Sequence, residues 1–173
     1  MGFPDISILL IQVLSGLTYS MFLFLIASGL SLIFGVLRIL NFAHGSFYML
    51  GAYLTYHFVS LFHSTPIHFW MAVIFGSFSV AILGGIIERF LLRRLYLHEQ
   101  LNQLLFTYAL VLLISDLVKI IWGTEQLSVS RPALLKDSIP IFDQFFPLYN
   151  LFIILLGPII AFLFWLILYR TRG

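Results

Sequence analysis

Hydrophobic positions run almost unbroken along this chain, and the charged ones gather at a few places between long apolar stretches. A helix needs roughly 20 residues, at about 1.5 Å each, to cross the hydrocarbon of a bilayer. Ile6 to Leu37 contains no Asp, Glu, Lys or Arg and exceeds one perpendicular span, so it tilts, protrudes or stops early near Gly29 or Gly35. A second uncharged stretch, Ile39 to Ile87, has to fold back on itself. Its one turn-like interior is His63-Ser64-Thr65-Pro66, where proline disfavours helix in the preceding residue. That divides it into about Ala43 to Phe62 and Phe69 to Ile87. Further spans run from about Leu101 to Trp122 and from Leu148 to Leu168. The runs are long and apolar on every side rather than alternating, which favours helices over barrel strands. The pattern predicts an all-α, polytopic transmembrane helical bundle of about five spans, one domain over residues 1–173.

Composition agrees. Of 173 residues, 61% are hydrophobic and 9% charged, with a mean hydropathy of +1.07. A soluble domain is nearer about 45 to 50% apolar and about 25% charged, so a core of this size cannot hide the excess. There is no cysteine, which excludes a disulfide scaffold, and a net charge of +2 is too small and scattered for nucleic acid. Asp5 stands where a signal peptide would carry basic residues, so the first apolar run is expected to remain in the protein. Orientation follows from Lys and Arg in short loops. Arg38, Arg89, Arg93, Arg94, Arg170 and Arg172 share one face if five spans alternate. The opposite face receives Asp5, the turn at His63 to His68 and the long connection from Gly123 to Pro147. The expectation is an outside amino terminus and a cytoplasmic carboxyl terminus.

Polar and small residues concentrate between Gly29 and Gly45. Glycines at 35 and 45 bracket Asn41 and His44, and two readings stand side by side. Unwound backbone at membrane depth is tolerated where it lines a cavity. Alternatively the segment is a surface loop in which Asn41 caps the next helix. On the first reading, valine at Gly45 would oppose a backbone that only glycine adopts freely. Asp116 and Lys119, three apart, share a helix face; an intramembrane ion pair is a functional candidate, but snorkelling toward the interface near Trp122 also explains it. Gly76, Ser77, Ser79, Gly84 and Gly85 give the third span positions for close helix packing. Trp70, Trp122 and Tyr169 read as interfacial anchors.

Chemistry is sparse. His57, His63 and His68 flank the outer turn and His98 lies in the basic loop, in no metal-ligand spacing. No cofactor is expected. No G-x-x-x-x-G-K-[ST] loop is present, so energy for any pumping comes from another subunit. An intramembrane hydrolase using Ser46 with His44 fails on spacing, because residues two apart on a helix do not face each other.

The run from Gly29 to Tyr53, with Asn41-Phe42-Ala43-His44-Gly45 followed by Tyr48-Met49-Leu50-Gly51-Ala52-Tyr53, resembles the signature of the LivH/LivM family. These are membrane permeases of branched-chain amino-acid ABC importers. Weaker echoes occur at Ile87-Glu88-Arg89, Thr107, Trp122-Gly123 and Tyr169 to Arg172; Arg93-Arg94 and Ala109 depart from the family pattern. The resemblance implies a non-enzymatic transport subunit of the cell (inner) membrane. Its implied partners are a second permease subunit, cytoplasmic ABC ATPases and an extracytoplasmic binding protein. Gly35, Asn41, Phe42, Ala43, His44, Gly45, Tyr48 and Gly51 would shape the translocation path. It also implies that the ATPase-docking segment lies beyond Arg172. A sister permease for urea or short amides would share this signature.

Overall fold

The fold is seen in a computed structural model that describes residues 6–37, 41–62, 68–95, 99–141 and 144–171. Its main elements are the helices α1 (Ile6–Leu37), α2 (His44–Leu61), α3 (His68–Ile87), α5 (Gln100–Trp122) and α6 (Leu148–Thr171). Arg38, the turn around His63 to Pro66, His98 and Arg172 lie outside the described residues. The five predicted helices are present with ends within a few residues of those expected. Among the described residues, four runs are long and apolar enough to cross a membrane: Ile6–Gly35, His68–Leu95, Gln100–Trp122 and Leu148–Arg170. α2 falls short of that standard. Its 18 residues carry two His, three Tyr, a Thr and two Ser among the apolar ones, so of the about five spans expected four meet the standard and α2 is shorter and more polar.

Two further differences have physical reasons. The basic segment after the third span is not a loop: a π-turn at Glu88–Leu92 and a last turn α4 (Arg93–Leu95) continue α3 without a break. Arg and Leu are good helix formers, and nothing in ERFLLRRL ends a helix. The connection after α5 is also ordered. Gly123, with φ at 85°, donates its N–H to the Lys119 carbonyl at 2.9 Å and ends α5 in a conformation that side chains resist. Beyond a single 3-10 turn (Ala133–Leu135), β1 (Ser138–Ile141) pairs antiparallel with β2 (Gln144–Pro147), Ile139 opposite Phe146. The Leu148 N–H closes the hairpin base onto the Asp137 carbonyl at 3.0 Å, and Phe146 is almost fully buried.

The described residues fall into two compact units. One holds residues up to Gly29 with those from Arg131 onward; the other holds Leu30 to Ser130. In the first, α6 carries Pro158 in its interior, as membrane helices tolerate, and at the adjacent Gly157 a Cβ would collide with the Met21 thioether of α1. In the second, α2 packs chiefly on α3 and also on α5. The α2–α3 seam is built on small residues. Ala72 and Gly76, four apart on α3, are both buried, and a Cβ on Gly76 would run into the Thr55 hydroxyl and backbone. Of the small residues the sequence singled out on α3, Gly84 and Gly85 meet nothing at this distance, and Ser79 returns its hydroxyl to the Phe75 carbonyl at 2.8 Å.

Most large apolar side chains remain exposed, including Ile74, Phe78, Ile120 and Trp165. Water would not tolerate apolar faces of that extent, whereas lipid supplies the missing contacts.

Candidate functional site

The signature segment forms a turn and a helix start. The Asn41 side-chain carbonyl accepts from the Ala43 N–H at 3.0 Å, and the Asn41 backbone carbonyl accepts from the His44 N–H at 3.2 Å. Ala43 already has helical dihedrals, and its carbonyl accepts from Phe47 at 2.9 Å. The residue that caps α2 is Ala43, which makes no side-chain cap bond, and Asn41 closes an Asx turn just ahead of it. The expectation that Asn41 caps the helix is corrected to a side-chain turn that precedes it.

The special-backbone expectation for Gly45 does not. Gly123 is the one described glycine with positive φ; Gly45 lies in the first turn of α2, and a Cβ there meets nothing within 4 Å. Gly35 likewise sits inside α1 in open surroundings, while Gly51 faces Val80 at ordinary van der Waals distance. The remaining predicted residues divide between two sides of the helix start. Phe42, Gly45 and Tyr48 form an exposed edge, Ala43 and Ser46 are buried, and His44 is half-buried. Ser46 and His44 belong to the same helical turn two residues apart, so no catalytic pair forms there.

The height of this helix start is set by its neighbours. Gly51 faces Val80, Thr55 meets Gly76, and the Phe58 and Phe75 rings are 5.9 Å apart, which pairs α2 antiparallel with α3 and places His44 level with Ile87 and Glu88. The helix of Ile87 goes on to Leu95, eight residues or about 12 Å further. At the other end, the Trp122 ring packs on Tyr53 at 5.5 Å and edge-on to His57 at 6.5 Å. α2 and α5 thus run parallel, with His44 level with about Ala109 to Leu113, the middle of α5. The chain turns at Asn41 to Ala43 at mid-height, not at the level where α3 and α5 are joined.

α5 itself has two faces. Gln103, Thr107, Leu110, Ile114 and Val118 are buried at spacings of three and four, and the Gln103 amide donates to the Leu95 carbonyl at 3.1 Å across the junction with α4. On the opposite face Lys119 donates to Asp116 at 3.2 Å, with both side chains more than half exposed. The ammonium is directed one turn back along the helix, away from Trp122. The pair stands within two turns of Trp122, at the end of α5.

Comparison with known proteins adds the family. Residues 12–173 match the family described as branched-chain amino acid transport system / permease component. The chain belongs to this family. A permease protein named BraD, of the high-affinity branched-chain amino acid transport system of Pseudomonas aeruginosa, is 30% identical over 80 residues, 46% of this chain and 26% of its own length. The LivH permease protein of the corresponding system in Salmonella typhimurium is 26% identical over 123 residues, 68% of this chain and 40% of LivH. LivH of Escherichia coli K12 is 25% identical over the same extent. The chain thus spans well under half the length of these relatives, and no solved structure matches it. As a member of this permease family with four membrane-length helices, it is a multi-pass helical bundle of the cell membrane.

Proposed function

We propose that this chain contributes part of the translocation pathway of an ABC importer for branched-chain amino acids, as a non-enzymatic permease driven by separate ATPase subunits. The observation that carries the reading is the family match across residues 12–173, whose most distinctive stretch folds as a helix start at mid-height of α5. A helix beginning inside the membrane presents an exposed edge where cargo passes, as broken helices do in transporters. On this reading Phe42, Gly45 and Tyr48 border the path, Asn41 and Ala43 hold the turn, and His44, Gly35 and Gly51 shape its backbone. The amino terminus lies outside and the carboxyl terminus in the cytoplasm. Arg93 and Arg94, further along the α3 helix than the level of His44, then lie toward the side from which ATPases act, and an extracytoplasmic binding protein delivers substrate from the other. A second permease subunit completes the passage.

Uptake of labelled leucine, isoleucine and valine in cells lacking the gene, with and without its restoration, tests the assignment. Restored branched-chain uptake supports it. Restored uptake of urea or acetamide alone would shift the assignment to the short-amide carriers.

A further inference from the structure

The π-turn at Glu88–Leu92 resets which way the end of the α3 helix faces. In an unbroken α-helix Leu92, sixteen residues beyond Gly76, would stand about 160° round from it, away from the packed side. Leu92 is nevertheless buried. Phe90, which unbroken geometry would bring within about 40° of Gly76, is instead more than half exposed. The wider turn, bonded i to i+5, thus rotates Leu92 in and Phe90 out. Phe90 joins Phe78, Ile82 and Ile86, each four residues beyond the last and all exposed, in one apolar row.

That row ends in cations. Arg89 and Arg93, four residues apart across the π-turn, are both exposed, and neither has an ion-pair partner among the described residues. We infer that the row and the two guanidinium groups together bind an anionic phospholipid, its phosphate between Arg89 and Arg93 and an acyl chain along Phe90, Ile86, Ile82 and Phe78. Three observations select this occupant. Guanidinium forks match phosphate oxygens, which supplies the charge complement. Arg89 to Phe78 spans about 16 Å of helix, close to the depth of one leaflet in a core of about 30 Å. The row is also made of large side chains, whereas the side of α3 packed on α2 uses Ala72 and Gly76, as helix contacts in lipid do. The helix is long enough to reach both interfaces. From Trp70 to Arg93 is about 35 Å, more than the hydrocarbon and less than the whole bilayer of about 40 to 45 Å, so Arg93 meets headgroups while Arg89 reaches up to them from one turn beneath.

The absence of native cysteine makes the test direct. A fluorophore is attached to Gly85→Cys, beside the row in open surroundings, or to Leu112→Cys, an exposed position at comparable height on α5. The full chain is reconstituted in phosphatidylcholine vesicles that contain the same low mole fraction of either brominated phosphatidylglycerol or brominated phosphatidylcholine. Brominated phosphatidylglycerol is expected to quench the label at position 85 about fivefold more than brominated phosphatidylcholine does, and the two are expected to quench equally at position 112. Arg89→Gln with Arg93→Gln abolishes the preference, and Arg89→Lys with Arg93→Lys keeps part of it, because charge remains without the fork. Equal quenching by the two lipids at position 85, the same preference at position 112, or a preference that survives the glutamines overturns the inference. So does an absence of quenching by either lipid at position 85, the sign of a protein segment covering the row, or loss of the preference to inorganic phosphate at constant ionic strength, the sign of a free anion. Quenching does not require transport, so the result stands apart from the substrate assignment.

Discussion

Gly76 of α3 lies so close to Thr55 of α2 that even a methyl group has no room between the two helices. Gly76→Ala is expected to push α2 and α3 apart and to destabilise the protein by about 1 to 3 kcal/mol, the usual cost of overpacking. Gly84→Ala, on the same helix in open surroundings, should be neutral or stabilising. Thermal unfolding in detergent distinguishes them, and equal effects would contradict the seam.

Asn41 is predicted to contribute through the turn it closes ahead of α2. Asn41→Ala removes the acceptor for the Ala43 N–H and should cost about 1 kcal/mol, whereas Asn41→Asp should retain most of it. Proteolysis rates at the start of α2 report the fraying. A loss of uptake in Asn41→Asp with unchanged stability would show that the amide does more than hold the turn.

Gly45→Ala should leave folding intact or improve it by up to about 1 kcal/mol, because Gly45 is helical and its Cβ direction is open. Any fall in uptake then comes from filling the edge shared with Phe42 and Tyr48. Full uptake in Gly45→Val, with normal accumulation, would remove this edge from the path.

Much of this was legible in the sequence. Span lengths and positions follow from where Asp, Glu, Lys and Arg interrupt apolar runs, because lipid leaves the backbone no alternative to helix. The turn at Asn41 and the i,i+3 pairing of Asp116 with Lys119 follow from local chemistry. The helical continuation from Glu88 to Leu95 was hidden because basic residues mark a loop and a helix end alike. Ala72 escaped notice because alanine is common in apolar helices; its spacing of four from Gly76 was the available signal. The β1–β2 hairpin was missed because four-residue strands in a polar connection carry almost no periodic signal. The height of the signature turn depends on Trp122 meeting Tyr53, a pairing between distant positions that a single sequence does not encode.

Trp122 sets that height, and replacing it should loosen α2 against α5. Trp122→Ala is expected to cost about 2 to 4 kcal/mol, with Trp122→Phe retaining most of the ring contact. Tyr53 fluorescence, normally quenched by transfer to the nearby indole, would rise in both variants, but unfolding would shift strongly only in the first.

The most direct measurement is the membrane depth of position 45. A spin label on Gly45→Cys in the cysteine-free chain, compared with labels at Leu101 and Ile121, reports depth from its relative exposure to oxygen and to a water-soluble nickel complex. A depth below the headgroups, between the other two, is predicted. A label at headgroup level, equal to Leu101, would contradict a helix start inside the membrane.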